Sequence, residues 1–105
     1  MKMLTPIHPG EILWAEFMQP LGLSSNALAR ALNVTPARIN EVVRGKRGIT
    51  ADTALRLARY FNTDVQSWMN LQNQYELTLA ELQAGNDIAA IIPTHHVKLS
   101  PQRSG

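Results

Sequence analysis

The chain has no cysteine among its 105 residues. Disulfides, thiolate zinc sites and thiol nucleophiles are thereby excluded, and a reducing compartment suits such a sequence. Aromatic residues are scarce, at 6%. Long apolar runs are missing as well. The opening Met1-Lys2-Met3-Leu4-Thr5-Pro6 leads into nothing of the length that a signal peptide or a membrane span requires. No acidic pair or glycine-rich phosphate loop follows a predicted strand, so no convergent polar site for catalysis is legible. His8 has a capping role available to it. His95-His96 falls on no defined element and reads as an exposed pair rather than a metal site. The expectation is a non-enzyme with no cofactor and no metal, located in the cytoplasm.

Hydrophobic residues make up 45% of the chain, enough for one modest core and one domain. A core of this size leaves little surplus stability, so a partner subunit would help. The net charge of +2 hides an uneven distribution. Residues 30–59 carry seven basic side chains (Arg30, Arg38, Arg44, Lys46, Arg47, Arg56, Arg59) against Glu41 and Asp52, a balance of +5. The remainder stands at −3. Residues 63–87 hold Asp64, Glu76, Glu81 and Asp87 with no Lys or Arg. One part is suited to a polyanion and another to a basic partner.

Five helices are predicted. The first opens at His8-Pro9-Gly10-Glu11, with proline at the first helical position and Glu in the first turn. Its Ile12, Leu13, Phe17 and Met18 recur at helical spacing until Pro20 and Gly22 end it. The second runs over about residues 25–32 with Ser24 as N-cap and Leu28, Ala29 and Leu32 inward. The third starts at the cap-plus-proline pair Thr35-Pro36 and stops at Gly45. The fourth follows Thr50 and reaches Tyr60 or Phe61. The fifth follows Asp64 and is expected to reach Gln83, because Gly85-Asn86 is the next strong break. Ile88-Ala89-Ala90-Ile91-Ile92 is open to three readings: strand, helix or partner-binding tail. Residues 100–105 read as disordered.

Residues 25–44 have the layout of a helix-turn-helix. Two helices that cross steeply need a small side chain where their backbones approach, and Ala29 stands there. The tight turn needs a residue tolerant of left-handed geometry, a role for which Asn33 is second only to glycine. Leu28, Leu32, Val34, Ile39 and Val42 then face inward. The second helix of such a unit lies in the major groove. Its outward face would carry Thr35, Ala37, Arg38, Asn40 and Glu41 towards base edges: Arg38 pairs with guanine, Asn40 with adenine, Glu41 accepts from cytosine and Ala37 touches a thymine methyl. Ser25, Asn26, Arg44, Lys46 and Arg47 are better placed for phosphates. The plainer alternative is a solvated face on which Glu41 pairs with Arg38 or Arg44. The full match of spacing, residue size and charge favours the groove.

Residues 8–75 also resemble a known family. The phrases His8-Pro9-Gly10-Glu11-Ile12-Leu13, Asn26-Ala27-Leu28-Ala29-Arg30-Ala31-Leu32, Arg38-Ile39-Asn40-Glu41, Arg44-Gly45-Lys46-Arg47-Gly48-Ile49-Thr50-Ala51-Asp52-Thr53-Ala54 and Trp68-Met69-Asn70-Leu71-Gln72 are similar to those of the HigA antitoxins, within the Xre-like helix-turn-helix regulators. The chain departs from them at Asp64-Val65, where relatives often have Ser-Pro, and beyond Leu82. The resemblance implies a nucleoid-associated bacterial protein that neutralises a HigB-type toxin, a ribosome-dependent mRNA endonuclease, and represses the operon encoding both. A stand-alone repressor without a toxin and a pure protein-interaction module are the alternatives. The fold expected is all-α: a five-helix, lambda-repressor-like helix-turn-helix domain with an extended C-terminal helix and a short tail. The division expected is a DNA-binding part at residues 1–75 and an extension at 76–105 for dimerisation or partner contact.

Trp68, Leu71, Tyr75, Leu79 and Leu82 share one stripe of the fifth helix. Trp68 and Leu71 are expected on the chain's own core; Tyr75, Leu79 and Leu82 extend further than that core needs and are expected on a second subunit, giving a homodimer that reads double-stranded operator DNA. The acidic stretch at residues 64–87 is a candidate toxin surface, with residues 1–7 and 88–92 as rivals.

Overall fold

The computed structural model describes residues 5–94. The expectations for residues 1–4, His95-His96 and residues 100–105 lie outside them. Five helices are present among the described residues, with no strand: α1 (Pro9–Ile12, running on as a π-helical stretch, Leu13–Met18), α2 (Ser25–Leu32), α3 (Pro36–Val43), α4 (Ala51–Phe61) and α5 (Val65–Ala89).

Each helix starts on a local device. His8 caps α1 by accepting from the Gly10 amide through Nδ1 at 2.9 Å, and Pro9 follows. The Ser24, Thr35, Thr50 and Asp64 side chains accept from the amides of Ala27, Arg38, Thr53 and Ser67, capping α2 to α5 in turn. α2 ends on Asn33 at φ 60° and ψ 46°, the left-handed residue that the tight turn requires. Gly45, at φ 76°, closes α3 in the same way.

Two expectations are corrected. The first helix does not keep the α period: from Leu13 its turns widen, and the Gln19 amide donates to the Trp14 carbonyl five residues back at 2.8 Å. The wider turn brings Leu13 and Met18, five apart, onto one face, and both are fully buried. The fifth helix does not stop at Gln83. It bends at Ala84, whose φ of −133° and ψ of 15° are not helical, and continues to Ala89. Gly85 costs helix stability without forbidding it. Ile88 is thus helical, whereas Ile91 and Ile92 lie beyond the helix and are exposed.

The core is the space enclosed by all five helices. Leu13, Met18, Leu28, Ala29, Ile39, Val42, Ala54 and Leu57 are fully buried within it. Phe17 lies 4.9 Å, centroid to centroid, from both Phe61 and Trp68, so the few aromatic rings are concentrated where α1, α4 and α5 meet. α2 packs on α3, α4 on α5, and α1 touches both α3 and α5. At the α1–α3 crossing, a Cβ on Gly10 would stand 1.8 Å from the Val42 carbonyl oxygen, so only glycine permits that approach.

Candidate nucleic-acid interface

The α2–α3 pair meets at Ala29, which is fully buried, and α3 turns Ile39 and Val42 into the core. The opposite face of α3 is therefore outward. Thr35, Ala37, Asn40 and Arg44 are exposed there, with Lys46 and Arg47 exposed on the loop that follows. Asn26 is exposed at the start of α2, and Ser25 beside it is half-buried. Of the ten side chains expected to meet DNA, Thr35, Ala37, Asn40, Asn26, Arg44, Lys46 and Arg47 are exposed and Ser25 is half-buried, and among these eight only Arg47 is in an ion pair.

Arg38 and Glu41 stand differently. The Arg47 guanidinium donates to Glu41 Oε1 through Nε at 2.8 Å and approaches the same oxygen through Nη2 at 2.7 Å. Glu41 pairs with Arg47, not with Arg38 or Arg44. The pairing offsets the Glu41 charge on an otherwise basic stretch. The backbone fixes the loop as well: the Glu41 carbonyl accepts from the Lys46 amide at 2.8 Å and the Arg47 amide at 3.2 Å. The cationic side chains of Lys46 and Arg47 are held at the C-terminal end of α3 by backbone as well as by charge.

Arg38, on the first turn of α3, is half-buried. Its Nη1 donates to Asp52 Oδ2 at 2.6 Å and to Thr53 Oγ1 at 3.5 Å. The same Asp52 oxygen accepts from Arg56 Nε at 2.9 Å. Arg56 in turn donates through Nη1 to the carbonyls of Leu32 at 2.9 Å and Asn33 at 3.3 Å, at the turn between α2 and α3. The Arg56 guanidinium first, and that of Arg38 next, hold the Asp52 carboxyl below the ordinary carboxylate range. One carboxylate therefore joins the turn, the first turn of α3 and the start of α4.

The other end of α3 is held by α5. Gln72 is buried, and its Oε1 accepts from the buried Ile49 amide at 2.7 Å while Nε2 donates to Glu76 Oε2 at 2.8 Å. A Cβ on Gly48 would lie 2.7 Å from Gln72 Nε2, so the loop approaches α5 closely. His8 is buried at this end too. Its ring meets Tyr75 edge-on at 4.9 Å and contacts the space above Gly45. Burial pushes its pKa down, against the nearby Glu11 charge and a backbone hydrogen bond at Arg47.

Sequence reasoning missed Asp52, Arg56 and Gln72. Asp52 and Gln72 do occur in phrases that carry the family resemblance, which was the available signal. On α5, Trp68 and Leu71 pack on the chain's own core as expected. Tyr75 is half-buried against His8 of its own chain, Leu79 is half-buried, and Leu77 and Leu82 are exposed at 67% and 52%. The division expected at residue 75 falls inside α5. No group of three or more His, Asp or Glu among the described residues is placed to hold a metal, and no described helix is long and apolar enough to cross a membrane.

A helix-turn-helix with an outward second helix and a basic rim defines a DNA-binding class of protein. Comparison with known proteins narrows the class. The helix-turn-helix family HTH_3 matches residues 15–68. Virulence-associated protein I of Dichelobacter nodosus is 62% identical over 87 residues, 83% of this chain and 80% of the relative. The Pseudomonas aeruginosa antitoxin HigA, solved with the higBA promoter, is similar at a TM-score of 0.82 and 51% identity, over 85% of this chain and 98% of that one. The antitoxin GraA in complex with its operator gives a TM-score of 0.84 at 40% identity, over 92% and 98%. The chain belongs to the HigA antitoxin family of Xre-like helix-turn-helix proteins.

Proposed function

We propose that this protein is an operator-binding antitoxin: a homodimer that lays α3 in the major groove of DNA upstream of its own operon and neutralises a HigB-type toxin encoded beside it. The observation that carries the DNA half is the outward face of α3, where Ala37, Asn40 and Arg44 stand exposed next to Lys46 and Arg47. Thr35, Ala37, Arg38, Asn40 and Glu41 are assigned to base edges, and Ser25, Asn26, Arg44, Lys46 and Arg47 to phosphates. The relatives solved with promoter and operator DNA support this reading.

Two copies would present two α3 helices about 34 Å apart to successive major grooves. The dimer contact is assigned to Tyr75, Leu79 and Leu82 on the distal half of α5, where outward Leu77 and Leu82 leave apolar surface uncovered. The antitoxin half rests on the family and on the acidic run Asp64, Glu76, Glu81 and Asp87, which suits a basic toxin.

The DNA half is tested by titrating the chain against a duplex from upstream of its own reading frame and against a scrambled duplex, from about 50 to 200 mM salt. Tighter, steeply salt-dependent binding to the upstream duplex is expected. Equal binding to both, or none at low salt, overturns it. Co-expression with the adjacent reading frame tests the antitoxin half: a complex that purifies supports it, and a free chain that still binds the upstream duplex leaves a stand-alone repressor. Removing residues 76–105 is expected to weaken dimerisation, operator affinity or both; a monodisperse dimer with unchanged DNA binding would sink the assignment on α5.

A further inference from the structure

We propose that Asp52 is a specificity-determining residue: it positions the Arg38 guanidinium so that the remaining edge of its fork faces a guanine, without touching DNA itself. This rests on the reading of α3 as the groove-binding helix. A guanidinium offers two bidentate edges, and each good bidentate contact with guanine discriminates strongly against other bases. Asp52 Oδ2 and Thr53 Oγ1 both engage Nη1. Nε and Nη2 donate to nothing among the described residues, and together they form the edge that matches guanine O6 and N7. The Arg38 side chain retains 29% exposure, so it is not sealed inside the fold.

The placement of Asp52 is itself over-determined. It sits on the first turn of α4, and Arg56 clamps its oxygen from one side while Arg38 takes it from the other. Arg56 is anchored to the Leu32 and Asn33 carbonyls. The carboxylate therefore cannot swing away without breaking its bonds to both guanidinium groups. An arginine on a flexible stem loses rotamer freedom when it binds a base; one already held at Nη1 has lost part of it beforehand. Asp52 stays ionised throughout the physiological range, because both arginines favour its charged form.

A charge beside DNA makes the proposal separable from a merely structural role. Replacing Asp52 by Asn removes a negative charge close to phosphates, so binding to scrambled duplex should tighten severalfold. The preference for one G·C pair should collapse at the same time. The test uses the full-length chain, the duplex from upstream of its own reading frame, and that duplex with each base pair exchanged in turn. Wild type is expected to lose roughly 10- to 100-fold at one G·C pair in each half-site. Asp52→Asn and Arg38→Ala should both reduce that loss to under about threefold, and the double variant should be no flatter than either. Asp52→Glu keeps the charge and both arginine partners but displaces Arg38 by one methylene. It should weaken the same preference with unchanged affinity for scrambled duplex, and it carries the test should Asp52→Asn fail to fold. Profiles of both variants identical to wild type, or a uniform loss across every duplex, would overturn the proposal. A wild-type chain with no preference for the upstream duplex would instead defeat the reading of α3 itself.

Discussion

The loop between α3 and α4 depends on one side chain of α5, and Gln72→Met isolates that dependence. Methionine matches glutamine closely in length and volume, so packing is nearly conserved. What is lost is the acceptor for the Ile49 amide, which Gln72 Oε1 receives at 2.7 Å in a buried setting. A buried amide without a partner costs about 1–3 kcal/mol, more than the net worth of the bond itself. The bond between Gln72 Nε2 and Glu76 is lost as well, but Glu76 is exposed and water replaces it. Roughly 1–3 kcal/mol in a domain of this size corresponds to a fall in Tm of about 5–20 °C. Thermal unfolding by circular dichroism gives the Tm, and hydrogen exchange at the Ile49 amide reports the local effect. Gln72→Glu is the control: it also lowers Tm, because it buries a second carboxylate against Glu76, but it retains an acceptor for Ile49, so that amide should stay protected. An unchanged Tm with the Ile49 amide still protected in Gln72→Met would refute the reasoning, since it would mean that the amide has another partner.

Other perturbations have outcomes fixed by the same structure. Gly10→Ala drives a Cβ to 1.8 Å from the Val42 carbonyl oxygen, backbone against side chain with no rotamer to relieve it; a loss of about 3 kcal/mol is expected in denaturant titrations. Asn33→Gly should be nearly neutral and Asn33→Val should cost about 1–2 kcal/mol, because φ at this position is 60°. Lys46→Ala should weaken binding to every duplex alike and lower the slope of log affinity against log salt by about one. His8 has a folded pKa below its ordinary value, so the unfolded chain binds more protons, and stability present near pH 7.5 should decline as pH falls through 6.5, by at most about 1.4 kcal/mol per pH unit. Melts of wild type and His8→Asn at pH 7.5 and 5.5 check this: the variant should lose stability at both values but show a shallower dependence.

Local sterics explain what was legible in the sequence. Ala29 and Asn33 satisfy requirements that involve only their immediate surroundings, a close crossing and a left-handed residue, and both stand where the pattern put them. The helix starts at Ser24, Thr35, Thr50 and Asp64 follow from one side-chain bond three residues long. The partners of Arg38 and Gln72 were not legible because they lie 14 and 23 residues away. Periodicity ranks faces, but it does not say which exposed arginine meets which carboxylate. For that reason the partner of Glu41 is Arg47 rather than a neighbour on α3. The π turn was hidden for a different reason: Ile12, Leu13, Phe17 and Met18 also fit an α period, and nothing in their spacing marks the wider turn that sets Leu13 and Met18 on one face.

Two helices of eight residues each cannot by themselves hold the angle on which the proposed groove reading depends. Such helices are unstable alone, and their mutual contact is a handful of aliphatic side chains around Ala29. The angle is therefore imposed from outside, at both ends of α3. At its start, α4 supplies Asp52 and Arg56, which grip Arg38 and the turn carbonyls. At its end, α5 supplies Gln72 to the loop that carries Lys46 and Arg47, while Tyr75 packs on the His8 that caps α1. On the function proposed above, the outward side chains of α3, with Asp52 behind Arg38, set which sequence is read, and Gln72 sets whether they arrive in the groove. A change at Gln72 should accordingly weaken binding to every duplex, whereas a change at Asp52 should alter the preference among them.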